Sequence, residues 1–326
     1  MPSLGRESKP SFRRKPRPSL GAKQRRETRL ATILNQGLPP FPDTVLELSS
    51  VLKNSSVDLK RAGELIRTDP SLSAQVLRLC NSPIFGLRYH VARVEQASIL
   101  LGVDRLRTIA FTCSLVEYAG VGLPREQVNI FWQHSFLAAL LSERLAVETN
   151  YRDKEHAYIA GLLHDIGQIP QWMLAVEENL LYKNSPPANW PDNTALEREH
   201  FGMDHCQIGS LMGVSWNFMP SLVDVLAYHH EPKETLHDPG LVNIVAAVES
   251  FLCAKSRAVD ALALKAKGMP DDPSKSSAQG ANPFLGSDSS PDDVESQGVM
   301  NFLEKEYDNL LPLVQLGLKS AIAGLK

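Results

Sequence analysis

The sequence has few features of a secreted or membrane protein. Its 326 residues include four cysteines and no CxxC pair, so we expect reduced, buried thiols and no disulfide framework. No apolar run approaches the ~18 residues that a membrane span needs. The N-terminal residues are polar and lack the apolar segment of a signal peptide. We therefore expect a cytoplasmic protein.

The alternation of apolar and polar residues that is typical of strands is also missing. Apolar residues recur instead at helical spacing from Leu30 to about Ala266, which predicts an all-α fold. One helix should begin at Pro70, where the missing N–H does no harm, and Pro124, Pro170 and Pro232 are expected in connections. Further helices are predicted at 93–101, 104–118, 127–148, 155–166, 204–213, 220–230 and 240–256.

Charge is unevenly distributed along the chain. Residues 1–30 contain ten Lys or Arg and two Glu, which leaves −11 on the remainder of a chain whose net charge is −3. An acidic body is not typical of nucleic-acid-binding proteins. The basic segment could associate with phosphates in a salt-dependent way, but we expect neither nucleic acid nor a membrane as the partner.

Composition also marks the borders of the folded part. Residues 268–298 contain 15 Gly, Pro or Ser, six acidic residues and one Lys, which is typical of a flexible linker. A helix is expected after this linker, and Pro312 should start, kink or break that helix. The predicted units are a disordered basic tail (1–29), an N-terminal helical part (30–124), a second helical part (125–266), a disordered acidic linker (267–299) and a C-terminal helix (300–326).

Ionisable residues interrupt several of the apolar helical stretches. In "AYIAGLLHDIGQIP", residues 157–170, His164 and Asp165 are costly to bury unless something holds them. A single His on an apolar face is more often a hydrogen-bonded core residue, and Asp204 fits a helix cap better than a ligand. Several such residues on separate helices, however, are what a metal site in a helical bundle requires. The candidate metal ligands are His134, His164, Asp165, His205, His229, His230 and Glu249.

Seven motifs appear in order between Leu38 and Ala254: "LPPFP", "IRTDPSLSAQVLRLCNSPIFG", "VEQASILLGVDRLRTIAF", "FWQHS", "AYIAGLLHDIGQ", "GMDHCQIGSLMGVSWNFMP" and "AYHHEP". Together they resemble the HDOD family, the HD-related output domains of bacterial signalling proteins. The resemblance implies a multi-helix bundle in which an N-terminal helical subdomain packs on an HD-like (HD/PDEase-type) helical subdomain. It includes neither the basic tail nor the acidic linker.

The resemblance also implies roles for the candidate ligands. Metal-binding positions of HD phosphohydrolases match His134, His164, Asp165 and, with Glu in place of Asp, Glu249. The additional histidines of HD-GYP phosphodiesterases match His205, His229 and His230. The implied cofactor is a divalent ion, Fe, Mn, Zn or Mg, although a domain that holds none is equally compatible with the resemblance. Asp165, as the shared ligand of two ions, is the candidate catalytic residue.

Three departures argue against cyclic dinucleotide hydrolysis by the HD-GYP route. Gln168 stands where catalytic HD proteins commonly have Lys, Glu249 replaces an Asp, and the GYP triplet is missing. Ile130, moreover, cannot supply a further carboxylate. We therefore interpret the chain as a regulatory module with a degenerate HD-type metal site, which binds a signalling protein or a small nucleotide-like ligand. The alternative is a metal-dependent phosphohydrolase or phosphodiesterase acting on a nucleotide or phosphodiester, so whether the chain is an enzyme is open at this point.

Overall fold

The computed structural model describes residues 21, 24, 28, 66, 70–83, 88, 90–101, 106, 123–177, 194–232, 235–266 and 294–322. These residues form helices and no strand, which confirms the predicted all-α class. Within the same ranges, no helix combines the length and the apolar character needed to cross a bilayer. The helices are α1 (Pro70–Cys80), α2 (Val94–Leu101), α3 (Arg125–Glu148), α4 (Lys154–Leu163), α5 (Gln168–Glu177), α6 (Thr194–Phe201), α7 (His205–Ser215), α8 (Pro220–Tyr228), α9 (Pro239–Ala266) and α10 (Val294–Ile322).

The predicted helices agree with these bounds to within a few residues, apart from α9, which is longer than predicted. Two helices, α5 and α6, were not predicted. The prediction of a connection at Pro170 was wrong, because Pro170 is the third residue of α5. Proline is tolerated in the first turn of a helix, since amide groups there have no intrahelical acceptor. Helix α6, TALEREHF, has too few apolar residues to show a helical stripe. The helix predicted at 104–118 and the tail and linker predictions lie largely outside the described residues.

Helix α10 continues through Pro312 without starting or breaking there. The lost N–H leaves one carbonyl of the preceding turn without its usual donor. Because Pro312 is exposed, water can satisfy that carbonyl, and the packing of Leu303, Leu310 and Val314 holds the helix on either side. The first six residues of α10 lie in the segment that composition assigns to the linker.

Helix α3 is the central element of the core. It packs against α4, α9 and α10, and Trp132 and Phe136 on it are fully buried. Helix α4 approaches α3 closely at Gly161, where a Cβ would lie 2.6 Å from the carbonyl oxygen of Ala138. Most side chains between Phe131 and Ala146 are buried, which explains why this part of α3 lacks a polar face. His134 lies in this part of the helix and is partly buried.

Asp238 fixes the start of α9, the helix that carries Glu249. Its carboxylate accepts hydrogen bonds from the Leu241 amide at 3.1 Å, from the Tyr151 hydroxyl at 2.8 Å and from Arg152 at 2.7 Å. An aspartate before the first turn is a typical helix cap. The cap ties α9 to the loop between α3 and α4.

Gly167, in the turn between α4 and α5, allows the closest backbone approach near the candidate ligands. A Cβ there would collide with the carbonyl oxygen of His205 and lie 2.6 Å from the amide nitrogen of Gly209. Backbone atoms cannot move aside as a flexible side chain can, so we expect Gly167→Ala to lower the free energy of unfolding by about 3 kcal/mol. Thermal and urea unfolding of the purified variant would measure this loss.

Gly298→Ala is the matched control for that substitution. A Cβ at Gly298 meets no atom within 4 Å, and alanine is the better helix former by roughly 1 kcal/mol. The control should therefore be as stable as the parent chain or slightly more stable. Equal stability of the two variants would contradict the close approach of the α4–α5 turn to α7.

Candidate metal centre

Four side chains from two helices and one turn meet in a first cluster. His134 lies on α3, His164 and Asp165 follow α4, and Glu249 lies on α9. The His134 Nε2 atom is 3.2 Å from His164 Nε2 and 3.0 Å from Glu249 Oε2, and Asp165 Oδ2 is 3.3 Å from His134 Nε2 and 3.4 Å from His164 Nε2. We call this cluster the first metal position.

A second cluster lies on the other side of the Asp165 carboxylate. His205 begins α7, and His229 follows α8; their Nε2 atoms are 3.2 Å apart. Asp165 Oδ1 is 3.3 Å from His205 Nε2 and 3.6 Å from His229 Nε2. Cys206 and His230 each bring a potential ligand atom within 4.8 Å of these two histidines. We call this cluster the second metal position, and Asp165 is shared by both positions.

Three of the histidines are oriented by hydrogen bonds at Nδ1. His164 Nδ1 donates to the Gly161 carbonyl oxygen at 2.8 Å, and His229 Nδ1 donates to the Val225 carbonyl oxygen at 2.8 Å. His205 Nδ1 donates to Glu197, with 2.8 Å to Oε2. Because Nδ1 carries the proton in each ring, the Nε2 atom of the neutral imidazole presents a lone pair to the centre.

The resulting arrangement fits a cation. Lone pairs of paired imidazoles face each other and the Asp165 carboxylate at 3.2–3.6 Å, which is repulsive unless positive charge lies between them. Neither oxygen of Asp165 has a hydrogen-bond partner among the described residues, although both are buried. Buried carboxylates without partners are rare. Nitrogen and oxygen donors held by such backbone and carboxylate contacts are the usual surroundings of a bound transition metal.

Ionisation in the metal-free protein shows the same demand for positive charge. Burial alone would raise the pKa values of Asp165 and Glu249, yet the neighbouring imidazoles hold both well below their usual range. Burial likewise opposes protonation of His134, but the charges of Glu249 and Asp165 raise its pKa. For His229, Cys206 and Asp165 outweigh burial and raise the pKa to about 10. Protons therefore occupy the imidazole nitrogens of these histidines, and a metal ion would have to displace them.

Access to the centre is restricted. The side chains of His164, Asp165 and Glu249 are at most 2% exposed, whereas that of His134 is 25% exposed. Among the described ligands of the first position, His134 is therefore the one that solvent reaches. A small anion would meet the first position from the His134 side.

The structure brings together all seven sequence-predicted ligands in these two clusters. It also confirms that Asp204 is a helix cap, since its carboxylate accepts from the Gln207 amide and the Gln207 side chain returns the bond. Sequence reasoning missed three residues. Glu197 orients His205, the Cys253 thiol donates to Glu249 Oε1 at 2.8 Å, and Cys206 lies beside His205. The thiols could have been noticed, one next to His205 and the other four residues after Glu249.

A comparison with known families matches these positions. The family model of the HDOD domain matches residues 38–232, a range that covers more than half of the chain and holds every ligand described above except Glu249. The chain belongs to the HDOD family. Glu249 lies beyond the matched range and reaches the centre because α9 packs against α3 and α4.

Two solved structures share the fold of this HDOD chain at low identity, and a sequence relative is similarly distant. An HDOD domain protein of unknown function from Geobacter sulfurreducens is 22% identical, with a TM-score of 0.63 over 93% of this chain and 99% of that one. A candidate phosphohydrolase from Shewanella amazonensis is 23% identical, with a TM-score of 0.59 over 88% and 97%. An uncharacterised protein of Treponema pallidum is 23% identical over 202 residues, 59% of this chain, and the chain spans 37% of the length of that relative.

Proposed function

We propose that this HDOD domain is a regulatory module that holds two divalent metal ions and binds a small phosphate-bearing ligand, of the nucleotide class, at the first metal position. The observation that carries the proposal is the convergence of imidazole lone pairs on both oxygens of the buried Asp165 carboxylate. Metal ions held there would polarise and orient a phosphoryl oxygen. Regulation follows if ligand binding changes the packing of α3 and α9, which meet at this centre through His134 and Glu249.

Each residue at the centre has its own role in this proposal. Asp165 joins the two positions, and Glu249 is held by Cys253 so that its Oε2 atom faces His134 and His164. Glu197 fixes the ring of His205. His134, as the partly exposed ligand, marks the side from which a phosphate would arrive. This arrangement supports metal binding despite the sequence departures at Gln168 and Glu249.

Hydrolysis of a phosphodiester or phosphomonoester is the second candidate function. The shared Asp165 carboxylate favours it, because two-metal hydrolases use a bridged pair to stabilise attacking and leaving oxygens. Gln168 argues for the regulatory alternative. It is buried, and its amide nitrogen has no hydrogen-bond partner in the part of the chain that the structure describes. It supplies a neutral donor where the resemblance to catalytic HD proteins leads us to expect a lysine cation.

One experiment separates these functions. Metal-loaded and chelator-treated protein would be titrated with a panel of nucleotides, including cyclic dinucleotides, and the same samples would be assayed for product. We expect binding that requires the metal and leaves the ligand intact. His134→Ala should weaken this binding by at least about tenfold, whereas His90→Ala, which changes an exposed residue, should not. Metal-dependent turnover would instead establish the phosphohydrolase, and binding that is indifferent to metal would contradict both functions.

A further inference from the structure

The two metal positions offer different ligand atoms. The first position has two imidazole nitrogens and two carboxylate oxygens, from His134, His164, Asp165 and Glu249. The second has two imidazole nitrogens, from His205 and His229, and one oxygen of Asp165. Cys206 and His230, the other two members of the cluster, are the described residues that could supply a fourth ligand atom.

Distances favour the thiol. Cys206 Sγ lies 3.4 Å from His205 Nε2 and 3.8 Å from His229 Nε2. A tetrahedral ion with its nitrogens at about 2.0–2.1 Å and its sulfur at about 2.3 Å separates nitrogen from nitrogen by about 3.3 Å and nitrogen from sulfur by about 3.6 Å. The His205–His229 pair at 3.2 Å and the His205–Asp165 pair at 3.3 Å fit the same tetrahedron. The two imidazole nitrogens thus have the spacing of a single coordination sphere both with each other and with the Cys206 sulfur, and the carboxylate oxygen lies 3.3 Å and 3.6 Å from them.

His230 is placed differently. Its ring centroid is 4.4 Å from that of His229 and 5.1 Å from that of His205, the latter nearly perpendicular. Its Nε2 atom is buried, and no described residue forms a hydrogen bond with it. The ring packs against the two imidazoles and lines the position, whereas the Cys206 sulfur lies at coordination spacing from both of them.

We propose that Cys206 is the fourth ligand of the second metal position and makes that position selective for zinc. The inference rests on the proposed metal-binding function and adds the identity of one ion to it. On binding, the protons carried by the ligand atoms of Cys206, His205 and His229 pass to solvent, and sulfur–metal and nitrogen–metal bonds form with no change of oxidation state. Thiolate with imidazole favours Zn²⁺, whereas the two carboxylates of the first position also suit a harder ion such as Mn²⁺.

Cobalt substitution tests this ligand directly. Chelator-treated, reduced full-length protein would be titrated with Co²⁺, which reports a sulfur ligand by a thiolate-to-cobalt charge-transfer absorption in the near ultraviolet. We expect this absorption to saturate with the first of two bound equivalents. Cys206→Ser should abolish it while cobalt remains bound at the first position. Zinc affinity measured by competition should fall at least about tenfold in the same variant, with Mn²⁺ affinity at the first position unchanged.

Two further cysteine variants control for the other buried thiols. Cys80 is buried on α1, and Cys253 contacts Glu249 at the first position. Cys80→Ser and Cys253→Ser should both keep the charge-transfer absorption, and circular dichroism should show all three variants folded.

The outcomes separate this inference from the function on which it rests. Two equivalents of cobalt bound without the absorption, or an absorption that survives Cys206→Ser, would overturn the role of Cys206 and leave the metal-binding proposal standing. A parent protein that binds no cobalt would overturn both.

Discussion

Asp165→Asn should abolish binding at both metal positions, whereas loss of any other ligand should affect mainly one. Asp165 presents Oδ2 to His134 and His164, and Oδ1 to His205 and His229. An amide has one oxygen and no charge, so it can serve one position weakly and cannot bridge two. We expect bound metal to fall from two ions per chain to none, measured by elemental analysis after reconstitution with Zn²⁺ and Mn²⁺.

Glu249→Gln and Asp238→Asn are the control variants for Asp165→Asn. Glu249 contacts the first position alone, so its amide variant should keep one ion, bound at the second position. Asp238 is another largely buried carboxylate, but it caps α9, and asparagine is an equally good cap. Its variant should keep two ions. One ion retained by the Asp165 variant with unchanged affinity would show that the carboxylate is not shared.

Metal affinity should rise steeply with pH. In the metal-free protein the pKa values of His134, His205 and His229 are raised, that of His229 to about 10, so near neutrality their Nε2 atoms carry protons that a metal must displace. Each displaced proton makes the apparent dissociation constant fall about tenfold per pH unit. With at least one proton displaced, affinity should increase at least about 100-fold between about pH 6 and about pH 8.

The stability of the metal-free protein should change with pH in the opposite direction. A histidine whose folded pKa is raised stabilises the fold below its ordinary value of 6.5, and this contribution is lost as the pH rises towards the folded value, about 10 for His229. Titration calorimetry in two buffers of different ionisation enthalpy would count the released protons, and urea unfolding with and without metal would follow stability. An affinity that does not change with pH would contradict protonated ligands in the metal-free site.

The sequence was sufficient to predict the helices that carry the ligands, because their apolar residues repeat at helical spacing around each histidine. It predicted seven candidate ligands that the structure brings together, partly from the residues themselves and partly from the resemblance to HD proteins. The resemblance was sufficient to predict that Asp165 could bridge two ions. It could not predict which carboxylate oxygen faces which pair of histidines, because this depends on the turn after α4.

The contacts that orient the ligands were harder to predict. Glu197 lies on α6, a short polar helix with no apolar stripe, and it meets His205 through tertiary packing and the Gln171–Glu197 contact at 3.3 Å. Nothing in TALEREHF distinguishes Glu197 from Glu199, the other acidic residue of this helix. Cys206 was adjacent to a predicted ligand, yet neighbouring residues on a helix normally point in directions about 100° apart. Their convergence on one position arises at the start of α7 and was visible only in three dimensions.

Anomalous X-ray diffraction from crystals of the Zn²⁺- and Mn²⁺-loaded protein would show directly whether two metal ions share Asp165. We expect two anomalous peaks, one on each side of the Asp165 carboxylate, with the zinc-edge signal strongest beside His205, His229 and Cys206. No peak between His134 and His229, or a peak that Asp165 does not contact, would contradict it.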